Sequence, residues 1–227
     1  MNTNGRDSPS EGIFITLEGG EGSGKSSLLP VLRERLLAAG ISSVLAHEPG
    51  GRLEPLSPVC QELRRCLINK NYSIPMVPMT ELLVFLAARA QNIAETIEPA
   101  LSMGQWVLCD RFADSTLAYQ GGARKLSKQV IEQLSQLSCA ANEPDLTLLL
   151  DIDPVIGLAR SKKSKPAFDR IESETLEFHQ RVRDEYTLLA RLKPERVVSL
   201  NAVQPLEQVA DMAWQIIKTK FISHFDT

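Results

Sequence analysis

The sequence predicts an α/β fold, a parallel β-sheet with helices packed on both faces. Two observations carry this. Five short apolar and β-branched runs alternate with helical stretches from end to end, as βα units require. One of those runs, Leu146–Ile152, opens on five residues that are apolar but for Thr147, as in a strand covered on both sides.

The elements follow in order. Gly12–Glu18 reads as a buried strand, and a glycine-rich turn follows it. Lys25–Ala39 is helical, with Leu28, Leu29, Leu32, Leu36 and Leu37 at helical spacing and Gly40 closing it. Ser42–His47 is a strand, and Pro49-Gly50-Gly51 a turn. Leu56–Asn69 and the long stretch Pro78–Met103 are helices, the second ended by Gly104. Trp106–Asp110 is the third strand, Leu126–Ala140 a helix and Leu146–Ile152 the fourth strand. Pro154–Lys162 and Ile171–Leu192 are helices around a basic, Ser- and Pro-bearing stretch, 161–166, that reads as a flexible loop. Val197–Leu200 is the fifth strand and Leu206–Phe221 the last helix.

The 227 residues suit one domain, expected over 12–227 behind a loose polar tail at 1–11. With 25 basic and 28 acidic residues the net charge is −3, so any anion must be held by local geometry and not by a basic surface. Cys60, Cys66, Cys109 and Cys139 form no C-x-x-C pair and read as small apolar groups in a reducing compartment. The longest apolar run, Leu82–Ala88, is too short to span a bilayer, and the tail lacks an apolar signal segment. A cytoplasmic address is expected, with neither membrane nor nucleic acid as a partner.

Gly19-Gly20-Glu21-Gly22-Ser23-Gly24-Lys25-Ser26, with Ser27 after it, fits G-x-x-x-x-G-K-[ST] between a strand and a helix. The glycines let backbone N–H groups turn inward on phosphate oxygens, and the helix start adds its positive end. Lys25 then reaches the β- and γ-phosphates, and Ser26 offers Mg²⁺ a hard oxygen. A nucleoside triphosphate site is expected. No N-K-x-D tetrad accompanies it; Asn69-Lys70-Asn71-Tyr72 fails at its last position. Glu21 repels phosphate, which suits it to a sugar hydroxyl of a second substrate or to Mg²⁺ through water.

A second anion site is expected at Asp110-Arg111-Phe112, at the carboxyl end of the third strand. Arg111 suits a phosphate, and Asp110 suits Mg²⁺ or Lys25. Phe85 and Arg89 share a helix face, and Arg89 has no acid three or four residues away. A ring to stack and a guanidinium to donate suit a flat, polar-edged ligand, although core packing explains Phe85 equally well. Ser115, Thr116, Tyr119 and Gln120 precede a Gly121-Gly122 turn and are candidates for a pocket wall. The basic stretch Arg160-Ser161-Lys162-Lys163-Ser164-Lys165 leads to Asp169-Arg170-Ile171-Glu172. Such a segment suits a lid, about 160–170, that closes over transferring phosphates. These residues leave open a kinase for one of several acceptors or a nucleotide-binding switch without turnover.

Taken as an ordered set, several segments resemble bacterial thymidylate kinases. They are L-E-G-G-E-G-S-G-K-S (17–26), E-P-G-G (48–51), L-A-A-R-A-Q (86–91), C-D-R-F (109–112), S-T-L-A-Y-Q-G-G (115–122), P-D-L-T-L-L-L-D (144–151) and D-R-I-E (169–172). The resemblance implies a three-layer P-loop nucleoside monophosphate kinase-like fold. Its sheet has five parallel strands flanked by helices, with a small lid. It implies transfer of the γ-phosphoryl of ATP to dTMP with Mg²⁺, and a homodimer. By that analogy Phe85 stacks on thymine, Arg89 donates to a thymine carbonyl and Arg111 holds the dTMP phosphate. Tyr119 crowds the sugar, Glu21 meets the 3′-OH region, and Pro49 and Gly50 shape the pocket wall. Arg160 stacks on adenine, while Arg170, Lys162 and Lys165 reach the ATP phosphates. The chain resembles the form whose catalytic cations come from the lid. His47 stands where Arg is common before E-P-G-G, and Arg52 is expected to supply part of that charge.

Overall fold

The computed structural model describes residues 12–225 apart from 54–56, 140–141 and 165–166. The tail at 1–11 and the expected lid residue Lys165 therefore lie outside the described residues, as does the side chain of Arg52. Five strands run parallel: β1 (Phe14–Glu18), β2 (Ser43–His47), β4 (Trp106–Asp110), β5 (Leu146–Asp151) and β6 (Val197–Asn201). A two-residue strand, β3 (Gly51–Arg52), pairs antiparallel with β2, where the sequence suggested only a turn. The order is β3-β2-β4-β1-β5-β6. The chain leaves β1 toward one edge and later crosses to the other, so the order reverses beside β1. Ligands bind at such reversals, beyond the carboxyl ends of the strands.

Helices α1 (Lys25–Ala38), α2 (Pro58–Ile68) and α3 (Pro78–Asn92) precede β4. The long expected helix is α3, a wide π-type turn at Ile93–Ile97 and then α4 (Glu98–Ser102). After β4 come α5 (Ala113–Thr116), a second wide-turn segment Leu117–Ala123, and α6 (Lys128–Cys139). Gly121 and Gly122 are thus inside a helical segment and do not form a turn. A Cβ on Gly122 would lie 2.8 Å from Cβ of Glu185, so the glycine permits close packing on α8 (Leu176–Leu192). Helix α7 (Pro154–Ser164) precedes α8, and α9 (Leu206–Lys220) follows β6. The expected flexible loop at 161–166 is helical as far as Ser164. Helix α8 starts later than expected because Thr175 caps it, accepting from Phe178 N–H at 3.3 Å.

Alternation along β1 divides the core. Ile15 and Leu17 pack with Leu28, Leu32 and Leu36 of α1 and with Ala213 and Ile217 of α9. Phe14 faces the other way, toward Ile93, Ile97 and Phe112, its ring meeting Phe112 edge-on at 4.9 Å. Thr147, the polar residue in the apolar run, is satisfied inside the sheet. It shares a 2.8 Å hydrogen bond with Thr16, donates to Asp114 and accepts from Arg196. Among the described residues no helix is long and apolar enough to cross a membrane.

Candidate active site

The reversal beside β1 opens into a cleft of about 950 Å³, large enough for two nucleotide-sized ligands side by side. On one wall the glycine-rich loop turns from β1 into α1. Gly24, in the left-handed region at φ 95°, leads directly into Lys25. Gly22 admits no side chain, since a Cβ there would lie 1.9 Å from the carbonyl oxygen of Gly157 on α7. Lys25 is buried and donates to Gly19 O and Gly20 O at 3.0 Å and to Ser23 Oγ at 3.1 Å. Burial and the nearby Arg111 pull its pKa down to about 8, against Asp110, Glu21 and Glu18.

The facing wall starts at the end of β4. Arg111 holds a left-handed backbone, φ 70°, and its N–H donates to Leu17 O. Its guanidinium donates to Gly19 O at 3.0 Å and to Glu21 at 2.9 Å, and lies 4.9 Å from the centre of the Tyr119 ring. Tyr119 O–H also donates to Glu21, at 2.7 Å. Burial by itself raises the Glu21 carboxyl, but Arg111, Lys25 and the Tyr119 bond outweigh it and hold the group at about 2. Glu21 is therefore the anchor between the phosphate loop and Arg111, a task its position in the loop did not reveal.

Phe85 lines the cleft half-buried and belongs to none of the core clusters among the described residues. Arg89, one turn on, is fully buried. Its Nε donates to Glu48 at 2.8 Å and an Nη donates to Thr116 at 2.8 Å. The partner absent from its own helix is supplied by the residue after β2. Its other nitrogen, Nη1, is buried without a hydrogen-bond partner in a side chain that lines the cleft. An acceptor is what that donor lacks, and the Cys139 thiol lies beside the guanidinium.

Segments 17–26, 86–91 and 109–122 thus meet in one cleft, and the chain matches the family described as thymidylate kinase over residues 17–213. The chain belongs to the thymidylate kinase family. It is 43% identical to the thymidylate kinase of Magnetococcus marinus, over 95% of this chain and all of that protein. It is 43% identical to that of Protochlamydia amoebophila, over 93% and 94% of the two chains. With that of Pelobacter propionicus the identity is 42%, over 88% and 91%.

The thymidylate kinase cleft holds most of the expected residues but not all. Pro49 lines it, whereas Gly50 stands behind, at φ 153°, where a Cβ would lie 2.1 Å from Nε2 of His47. The neighbouring His47 ring is held neutral, burial and Arg64 pulling its pKa to about 4. Ser115 and Gln120 line the cleft but are already engaged. Ser115 donates to Glu18 at 2.6 Å, and Gln120 donates to Glu81 at 2.8 Å. Glu18 itself is pushed up by burial and by Asp114. At the far end Arg160 is held by the carbonyls of Ala202 and Val203, at 2.7 and 3.1 Å, beside Pro205 and Leu206.

Two expected cations are not at the cleft wall. Lys162 is exposed on the last turns of α7, and Arg170 is turned away toward Glu81, at 2.6 Å, and Leu67 O, at 2.8 Å. One cation was missed. Arg64 on α2 lines the cleft and donates to Pro49 O at 2.8 Å. It has no acid at three or four residues' distance, so the criterion that singled out Arg89 flags it as well.

The residues fit Mg²⁺. The exposed hydroxyl of Ser26 and the carboxylate of Asp110 both line the cleft, and Asp110 Oδ1 is buried without a hydrogen-bond partner. Two hard oxygens beside Lys25 are the donor chemistry this ion takes.

Proposed function

We propose that the protein transfers the γ-phosphoryl group of ATP to dTMP, giving dTDP and ADP. The observation that carries this is the single cleft shared by the phosphate loop and by Phe85, Arg89 and Arg111. A phosphate oxygen of dTMP attacks the γ-phosphorus in line while the bond to the β,γ-bridging oxygen breaks, and that oxygen leaves with ADP. The attacking oxygen is already an anion, so no general base is needed, and catalysis consists of positioning and charge stabilisation. Mg²⁺ held by Ser26 and Asp110 would neutralise charge on the donor phosphates.

On the donor side, N–H groups of Gly19–Ser27 cradle the phosphates and Lys25 moves from the loop carbonyls onto them. Arg160 takes the adenine, and the lid, residues 160–170 of a single kinase domain over 12–227, brings Lys162 and Lys165 to the transferring group only on closing. On the acceptor side Phe85 stacks on thymine, Arg89 Nη1 donates to a thymine carbonyl and Arg111 holds the phosphate. Tyr119, pinned by Glu21, crowds the sugar, while Thr116, Ser115, Gln120, Pro49 and Gly50 hold the wall in shape. A homodimer belongs to the same reading. Met79 and Leu83 of α3 and Val130 and Leu137 of α6 are exposed on two helices that pack together. The cytoplasmic address rests on four cysteines that are all free.

The test is ADP release with Mg-ATP against dTMP, dUMP, dCMP, CMP, AMP, GMP and thymidine. Turnover strongest with dTMP is expected. Strongest turnover with another acceptor overturns the roles of Phe85 and Arg89, and ATP binding without any turnover overturns the kinase reading.

A further inference from the structure

Glu81 stands in the first turn of α3, 1% exposed, with no base three or four residues away. Its charge is met by three residues from two other segments. One oxygen accepts from Gln120 at 2.8 Å and from Arg124 at 3.1 Å. The other accepts from Arg124 at 3.1 Å and from Arg170 at 2.6 Å. Arg124 continues to Glu174 at 2.7 Å and stacks 4.6 Å over the Phe178 ring. Arg170 also donates from Nε to Leu67 O, and its backbone N–H to Ile68 O at 3.3 Å. Lys70 completes the docking of this segment on the end of α2 by donating to Phe168 O at 2.7 Å. Arg170 Nη2 is buried without a partner, yet the side chain does not line the cleft, although Asp169, Ile171 and Glu172 do.

We infer that Arg170 serves the nucleoside monophosphate, as a positioning residue that acts through Glu81, and does not serve the ATP phosphates. Glu81 lies one turn before Phe85 on the same helix, and Gln120 follows Tyr119. One buried carboxylate therefore sets the distance between the stacking ring, the sugar wall and the segment after α7. A guanidinium already bound to Glu81 and Leu67 O is not available to the donor. Moving it to the ATP phosphates would strip an inward carboxylate of a charge-assisted bond.

This rests on the acceptor reading given above, so wild-type turnover with dTMP is measured first. Its absence counts against that reading, and calorimetric titration of dTMP then carries the present test without turnover. Arg170→Gln is expected to raise the dTMP KM about tenfold, with the ATP KM and kcat changed by less than about twofold. Glu81→Gln should reproduce that split, and the double variant should be no worse than the more impaired single one, because both changes break one network. Arg170→Lys should recover part of the loss, since an ammonium reaches Glu81 but lacks the fork that also holds Leu67 O. A raised ATP KM or a fallen kcat in Arg170→Gln, with the dTMP KM unmoved, overturns the inference. So does an unmoved dTMP KM in every variant. If Glu81→Gln fails to fold, the two Arg170 variants decide alone, since that side chain is 15% exposed.

Discussion

Around the phosphate loop, Lys25 bonds to groups two to six positions away. Across the cleft the partners are remote: Glu48 is 41 positions from Arg89, Glu21 is 90 from Arg111, and Leu67 is 103 from Arg170. The seat of Lys25 in the phosphate loop is therefore a local structure that a short stretch of chain can form. The acceptor wall exists only when four or five segments have docked, and its charges are buried before any ligand arrives. Damage to the two walls should then differ in kind. A donor-side loss should cost catalysis with little stability, whereas an acceptor-side loss of a buried ion should cost stability first.

The largest effect is expected at the donor wall. Lys25→Ala should lower kcat by about a thousandfold, the loss usual for a charge that stabilises a transition state. The urea midpoint should hardly move, because a buried ammonium with a depressed pKa adds little to the fold. A strongly lowered midpoint would break the contrast. Next comes Glu48→Ala, which leaves Arg89 buried without its anion. Equilibrium unfolding should show a loss of about 3 kcal/mol, as for other broken buried pairs. Phe85→Ala should be milder, raising the dTMP KM about tenfold with the ATP KM unchanged, because a half-exposed ring contributes by stacking. Steady-state titration of each substrate separates the two constants.

The smallest effect joins the walls and appears only in acid. Glu21 has a folded-state pKa of about 2 against an ordinary 4.5. Its contribution to stability is full above 4.5 and is lost as the pH falls through 2, since the unfolded chain then binds the proton first. For a partly exposed pair this amounts to about 1 kcal/mol. Glu21→Gln should flatten that part of the unfolding-versus-pH curve, and an unchanged acid limb would show that Arg111 does not depend on this anchor.

Legibility followed the same division. All five parallel strands lie within a residue or two of the runs that announced them, and β1, β4 and β5 are the plainest, because a strand buried on both faces needs a continuous apolar stretch. The short β3 was hidden, since two residues carry no periodicity. The segment 117–123 was misread because two adjacent glycines signal a turn in the absence of a neighbour. Here they allow α8 to approach, which no local pattern records. Arg64 and Glu81 were legible in principle, as charged helix residues without local partners, and so was the question of what Arg89 pairs with, though not its answer.

The sequence alone determined the alternation of strands and helices and the phosphate loop, because both arise from spacing within a few residues. Only the tertiary structure decided that Glu48 answers Arg89, that Glu21 holds Arg111 and Tyr119, and that Arg170 turns to Glu81. Buried charges must find partners, and which partner lies within about 3 Å is set by the docking of distant segments and not by their order along the chain.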